Sequence, residues 1–221
     1  MKLTRTDMEA VKRGDSNYIL NKGANYYMQK DFENAVSYYQ LASSMGNVQA
    51  LCNLAYCHLY GRSVEPNRDL AIAYLELAAD RKNVEACYKL GDIYGSDKWG
   101  IKDSEMSVYF YRMAASFLID EDWEDGYAIA YTDSLSSYPS LCFALGRELM
   151  PGGYMRTDLK EAYQFLKHAE KGYGMELKNG ADFYEKSYAC VMERIDDEVF
   201  DDIRDEIDPL YDDEDGEEEY A

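Results

Sequence analysis

Five cysteines, two histidines and a C-terminal run of carboxylates are the residues in this chain best suited to ligate a metal, attack a carbonyl or move a proton. Cys52, Cys57, Cys87, Cys142 and Cys190 are odd in number, form no C-x-x-C pair and stand among apolar residues in helix-like stretches. That pattern suits small core residues in a reducing compartment rather than a disulfide or metal framework. His58 and His168 fall inside helical periodicity, at packing positions. No H-E-x-x-H, G-x-S-x-G or G-x-x-x-x-G-K-[ST] accompanies them. The two glycines of "PGGY" at Pro151 are followed by no lysine, so they predict an inter-helix turn rather than a phosphate cradle. The expectation is therefore no catalytic residue, no metal and no cofactor: a chain that is not an enzyme.

The acidic run Asp212, Asp213, Glu214, Asp215 fails as a calcium loop. With Gly216 at the sixth position the first ligand is Tyr211, and the twelfth falls past Ala221. Tyr211 and Tyr220 lie in acidic surroundings of a kind that tyrosine kinases select. Charge is distributed unevenly. From Asp196 onward 15 acidic residues face the single Arg204, whereas the preceding part has 28 acidic and 22 basic residues. A net charge of -20 without any basic stripe argues against nucleic acid and leaves a basic partner as an option. No apolar run is long enough to span a membrane and none near Met1 reads as a secretion signal, so the expected location is cytoplasmic.

The positioning elements announce themselves by repetition. "NVQALCNLAYCHLYG" from Asn47 is nearly restated 36 residues later by "NVEACYKLGDIYG" from Asn83. Leu54, Leu90 and Leu145 are each followed by a small residue, and each is followed after 24 residues by an alanine, Ala78, Ala114 or Ala169. Between them, apolar residues three and four apart predict amphipathic helices. "YGRSVEP", "GSDKWGI" and "PGGYMR" carry the helix breakers, with Asn67, Asp103 and Asp158 as N-caps and Asp158 with Glu161 as a capping box. Small residues at Ala55, Gly91 and Gly146, and at Ala71, Ala78 and Ala79, allow the paired helices to approach closely. One such pair cannot bury its apolar face alone, so neighbours must stack.

Ala50, Leu54, Gly61, Val64, Ala71, Ala78 and Ala79, then Ala86, Leu90, Gly91, Tyr94, Asp103, Ala114 and Ala115, then Leu145, Gly146, Gly152, Asp158, Ala162, Ala169 and Gly172 make the chain resemble the Sel1-like repeat family. His58 and Leu149 replace its motif tyrosine, and Asp97 a loop glycine. Gly23, Tyr26, Tyr27, Asp31, Phe32, Ala35, Tyr39 and Ala42 instead resemble a tetratricopeptide unit. The resemblance implies an all-α right-handed superhelix, a solenoid of about four helix pairs with a C-terminal cap. The expected divisions are a lead-in at 1–16, a tetratricopeptide-like pair at 17–47, Sel1-like repeats at 48–83, 84–116 and 139–173, an insertion at 117–138, capping helices at 174–207 and a disordered acidic tail at 208–221.

In such folds the first helix of each pair lines a concave groove. Carried onto this chain, that places Asn17, Ala24, Tyr27, Gln49, Tyr56, Tyr60, Glu85, Tyr88, Asp92, Phe143 and Arg147 on the binding face. Tyrosine suits that face because it offers contact area at little rotamer cost and keeps a hydroxyl. It also commonly wedges between helices. The expected function is that of a protein–protein adaptor or scaffold holding a peptide or partner protein. Two other readings are a groove-sited enzyme or small-ligand binder using Glu85, Asp92 and Arg147, and an acidic tail that mimics charge toward a basic partner.

Overall fold

The computed structural model describes residues 2–119 and 128–211, and these are all-α. Eleven α-helices run in chain order: α1 Arg5–Arg13, α2 Ser16–Met28, α3 Phe32–Ser44, α4 Val48–Tyr60, α5 Arg68–Ala79, α6 Val84–Gly95, α7 Ser104–Ser116, α8 Pro139–Leu149, α9 Leu159–Lys178, α10 Glu185–Ile195 and α11 Asp201–Ile207. Contacts divide the chain into two compact units, residues 1–110 and 111–221.

In the first unit α1 to α6 pack each on the next, with α2/α3 and α4/α5 as antiparallel pairs and α3/α4 and α5/α6 as the seams between them. The repeat's constant positions are its core. Leu54 and Leu90 are buried, as are Ala55, Ala71, Ala78 and Ala79, and Gly91 gives its carbonyl to the Ser107 hydroxyl at 2.8 Å where α7 crosses α6. Close approach at α2/α3 depends on Gly23, where a Cβ would lie 2.7 Å from the Tyr39 ring. N-caps begin the helices as the sequence predicts: Asn67 accepts from the Leu70 N–H, and Asp103 from that of Met106.

The lead-in is itself a helix. Thr4 and Asp7 form a reciprocal capping box on α1, and the fully buried Asp7 carboxylate accepts from Lys22 Nζ at 2.5 Å and from the Tyr38 hydroxyl at 2.7 Å. Burial alone would raise the pKa of this acid, but its Lys22, Thr4 and Tyr38 hydrogen bonds outweigh that and hold it well below the usual carboxylate range.

In the second unit, α9 is the axis against which α8, α10, α11 and the 3-10 turn Asp133–Ser137 all pack. Leu145 and Ala169 are buried at the repeat positions, and Gly146 admits Leu166, which a Cβ would meet at 2.8 Å. Asp158 caps α9 through the Glu161 N–H. In "PGGY", Gly152 takes φ +89° and Gly153 lies so close to the Glu148 carbonyl that a Cβ would sit 2.2 Å from it. The loop of the second copy places its left-handed glycine at Gly100, after a 3-10 turn at Asp97–Trp99, so Asp97 is accommodated by moving the turn.

Three expectations are corrected. Order does not end at Ile207: Asp208–Leu210 form a 3-10 turn, and Asp208 and Tyr211 are fastened to α9. Cys190 is exposed on α10, unlike the other four cysteines. The capping helices expected from 174 begin later: α9 runs on to Lys178, and a 3-10 turn at Asp182–Tyr184, with Phe183 77% exposed, precedes α10. The acidic run from Asp212 onward, Tyr220, and Trp123 with the middle of the insertion lie outside the described residues.

Candidate functional face on the first helices

The first helices of the first unit are tied together by their own caps. Asn47, at the N-cap of α4, accepts the Ala50 N–H at 3.1 Å while its amide donates to Asn17 Oδ1 on α2 at 2.9 Å. Asn83 repeats the device 36 residues later, accepting the Ala86 N–H at 2.8 Å and donating to Gln49 Oε1 on α4 at 3.1 Å. Gln49 then donates from Nε2 to Glu85 at 2.5 Å, and the Tyr56 hydroxyl donates to the other oxygen of that carboxylate at 2.6 Å. Burial, then the Glu85 charge, pushes the Tyr56 hydroxyl far above its ordinary pKa, so it remains a donor.

Aligning the helices on their caps Asp15, Asn47 and Asn83 arranges this face in rows, because residues spaced i, i+4, i+7 and i+11 share one side of a helix. The first row is Asn17, Gln49 and Glu85. The second is Asn21, Asn53 and Lys89, the third Ala24, Tyr56 and Asp92, and the fourth Met28, Tyr60 and Ser96. The first row is braced by the bonds just described. In the second, Lys89 pairs with Asp92 at 3.1 Å and lies 5.6 Å from the ring centres of both Tyr56 and Tyr88. The side chains of Asn21 and Asn53 have no protein partner among the described residues. In the fourth, Tyr60 is 45% exposed and meets the Trp99 ring.

Gln49, Tyr56, Glu85, Tyr88 and Asp92 thus come together in one network around Lys89, with Asn17 linked through Asn47. Tyr27 stands apart, its ring edge-on to Phe32 at 5.1 Å. Phe143 and Arg147 belong to α8 in the second unit, where Phe143 is half-buried and Arg147 is exposed and pairs with Glu148. Asn21 and Asn53 escaped the sequence reading because leucine anchors mark the buried side of a helix. Alignment on the N-caps marks the opposite side and recovers them.

Chemistry elsewhere is muted by burial. It pushes the Cys52 thiol up to about 12 and those of Cys57 and Cys87 up to about 11, which keeps them protonated. His168 is buried with both ring nitrogens engaged: Nε2 donates to the Ile129 carbonyl at 2.7 Å, so Nδ1 accepts from the Ser136 hydroxyl at 2.9 Å. This serine–histidine pair is closed to solvent and locks the end of the insertion to α9. A cleft of about 280 Å³ in the second unit is lined by Arg112, Arg156, Asp158 and Glu161 with Leu149, Met155 and Thr157, and its two charges of each sign offset one another.

The family model for the Sel1 repeat matches residues 12–47, 48–83, 84–116 and 139–171. The matches cover more than half of the chain, and the protein belongs to the Sel1 repeat family. The first match includes the pair that resembles a tetratricopeptide unit. Sel1 repeats are, as a family, protein–protein interaction scaffolds and generally non-enzymatic modules. Among solved structures, a Sel1 repeat protein from Oxalobacter formigenes shares 23% identity over 71% of this chain and 93% of its own, with a TM-score of 0.49. The protective antigen c5321 of uropathogenic Escherichia coli, described as displaying an SLR fold, shares 18% over 80% of this chain and 43% of its own, with a TM-score of 0.47. A search of curated proteins found no match. Among the described residues no helix is long and apolar enough to cross a membrane.

Proposed function

We propose that the chain is a docking scaffold and that its partner, an extended peptide segment of another protein, lies across the first helices α2, α4 and α6. The observation that carries this reading is the division of labour on that face. Its first row is consumed by bonds that fix helix spacing, while Asn21 and Asn53, at the same turn of adjacent repeats, keep their amides unpaired. An asparagine side chain donates to a carbonyl and accepts from an N–H, which matches the alternating groups of an extended backbone. Tyr60, Tyr88 and Asp92 flank that row and supply side-chain contacts. Asn17, Gln49, Tyr56 and Glu85 are the bracing behind it; Tyr27, Phe143 and Arg147 have no part in this row.

Photocrosslinking tests the proposal. Benzoylphenylalanine at Asn21 or Asn53 should capture a common protein from native lysate, while the same residue at Leu77 or Tyr109, exposed on α5 and α7, should not. Equal capture from all four positions, or capture from α5 and α7 alone, would contradict it.

A further inference from the structure

In a chain of net charge -20, one face of α9 carries a row of lysines: Lys160, Lys167 and Lys171, spaced i, i+7 and i+11, with Gln164 between the first two. Each is met by a carboxylate from outside the helix. Lys160 pairs with Glu206 of α11 at 3.0 Å, Lys167 with Asp208 of the 208–211 turn at 3.5 Å, and Lys171 with Asp133 at 3.5 Å. The lysines form an inner layer and these acids an outer one, since side-chain exposure is 34% against 49%, 19% against 40% and 30% against 89%. Lys167 is also held by Glu170 of its own helix at 2.8 Å, so Asp208 is its second and longer contact. The 208–211 turn rests on this row through two side-chain anchors three residues apart. Asp208 accepts the Tyr163 hydroxyl at 2.9 Å, and the Tyr211 hydroxyl donates to the Gln164 carbonyl at 3.0 Å while its ring stands edge-on to His168 at 5.0 Å. Among the described residues no backbone–backbone hydrogen bond joins the turn to α9. Every polar tie is therefore one that the same two side chains could make from a separate peptide.

We infer that this face of α9 is a docking surface for an acidic segment of another protein, one with a carboxylate and, three residues later, a tyrosine, and that residues 208–211 occupy it in cis as a competing, autoinhibitory ligand. The inference goes beyond the face on α2, α4 and α6 and lies wholly within the second unit. The chemistry of the partner is set by what is seated there. The Lys167 ammonium and the Tyr163 hydroxyl donate to a carboxylate, and the Gln164 carbonyl accepts from a phenol. The lysine row draws an acidic segment by charge, and the two anchors fix its register. A partner binds only those molecules whose turn is released, so docking in cis lowers its apparent affinity.

The test uses the full chain and a fluorescein-labelled, end-blocked peptide copying residues 206–211, Glu-Ile-Asp-Pro-Leu-Tyr, with binding read by anisotropy. Asp208→Ala together with Tyr211→Ala in the protein should release the turn and tighten peptide binding about ten-fold, the gain for a turn docked in roughly nine molecules of ten. Asp208→Asn alone, which keeps the shape of the turn, should give a smaller gain and decides the matter if the double variant does not melt cooperatively. Lys167→Met added to either variant should remove the gain, whereas Lys186→Met, the same loss of charge at an exposed position on α10, should keep it. A peptide with Asn and Phe in place of its Asp and Tyr should bind the variants no more tightly than the parent. No tightening in either variant, or a gain that survives Lys167→Met, would overturn the inference. So would a gain that Lys186→Met removes equally, since charge without position would then explain the binding.

Discussion

An asparagine at a helix N-cap needs only its oxygen for the cap, and Asn47 and Asn83 spend the remaining amide on the preceding repeat. Replacing Asn83 by Ser should keep the cap and lose the tie to Gln49, whereas Asn83→Ala should lose both, with a total cost of about 1–2 kcal/mol read by chemical denaturation. If Asn83→Ser costs nothing, the tie contributes nothing; if both variants cost the same, the cap contributes nothing. His58 poses the opposite case: its Nδ1 is buried without a partner, and the imidazole replaces the family's tyrosine while stacking on Tyr74. His58→Phe should keep the stacking, remove the orphaned nitrogen and raise stability by about 1 kcal/mol in the same assay. His168 gives a pH dependence. Burial depresses its pKa from 6.5 to about 4, so between those values the unfolded chain binds a proton that the folded chain refuses. Stability from this group is complete above about pH 6.5 and falls as the pH drops toward 4, by roughly 2 kcal/mol between pH 6.5 and 5. His168→Gln should flatten that part of the stability–pH curve; an unchanged slope would assign it elsewhere.

At the scale of elements, the helices and their caps were legible because they follow local rules, and Asn67, Asp103 and Asp158 cap the helices that periodicity predicts. The 24-residue interval from Leu54, Leu90 and Leu145 to Ala78, Ala114 and Ala169 marks positions that are all buried. What the sequence concealed are attachments made by few residues over long separations. The 208–211 turn has too little apolar surface to announce itself, yet Tyr163 donates to Asp208, Lys167 pairs with it, and the Tyr211 hydroxyl donates to the Gln164 carbonyl while its ring meets His168. A chain ending at Ile207 should therefore lose about 1–3 kcal/mol, whereas a tail disordered from 208 onward would be removed at no cost. An unaltered melting temperature would show that the turn adds nothing. Close packing at α9 has its own marker in Gly172, where a Cβ would come within 2.2 Å of the Ser136 carbonyl. Gly172→Ala should force α9 from the turn before α8 and cost about 1–3 kcal/mol by thermal melting.

For the whole molecule, the repeat supplies architecture and the surface of the first helices supplies the binding function proposed for it. The all-α class was readable from a repeated helix–loop–helix pattern that needs no long-range information. The binding face was only partly readable. Tyrosines stood out by type, but type does not separate Tyr56, whose hydroxyl braces Glu85, from Tyr60, which is exposed. Asn21 and Asn53 drew no attention, since an asparagine without a partner has no sequence signature until its helix is aligned with its neighbours. The central claim is that this face carries the docked segment, and the side-chain amides of Asn21 and Asn53 report on it directly. A nitrogen-15-labelled chain titrated with the partner recovered by crosslinking should shift both amide signals at the stoichiometry of binding and leave the backbone signals of Leu77 and Tyr109 in place. Saturation without movement of either amide, with the perturbations confined to residues 128–211, would contradict it.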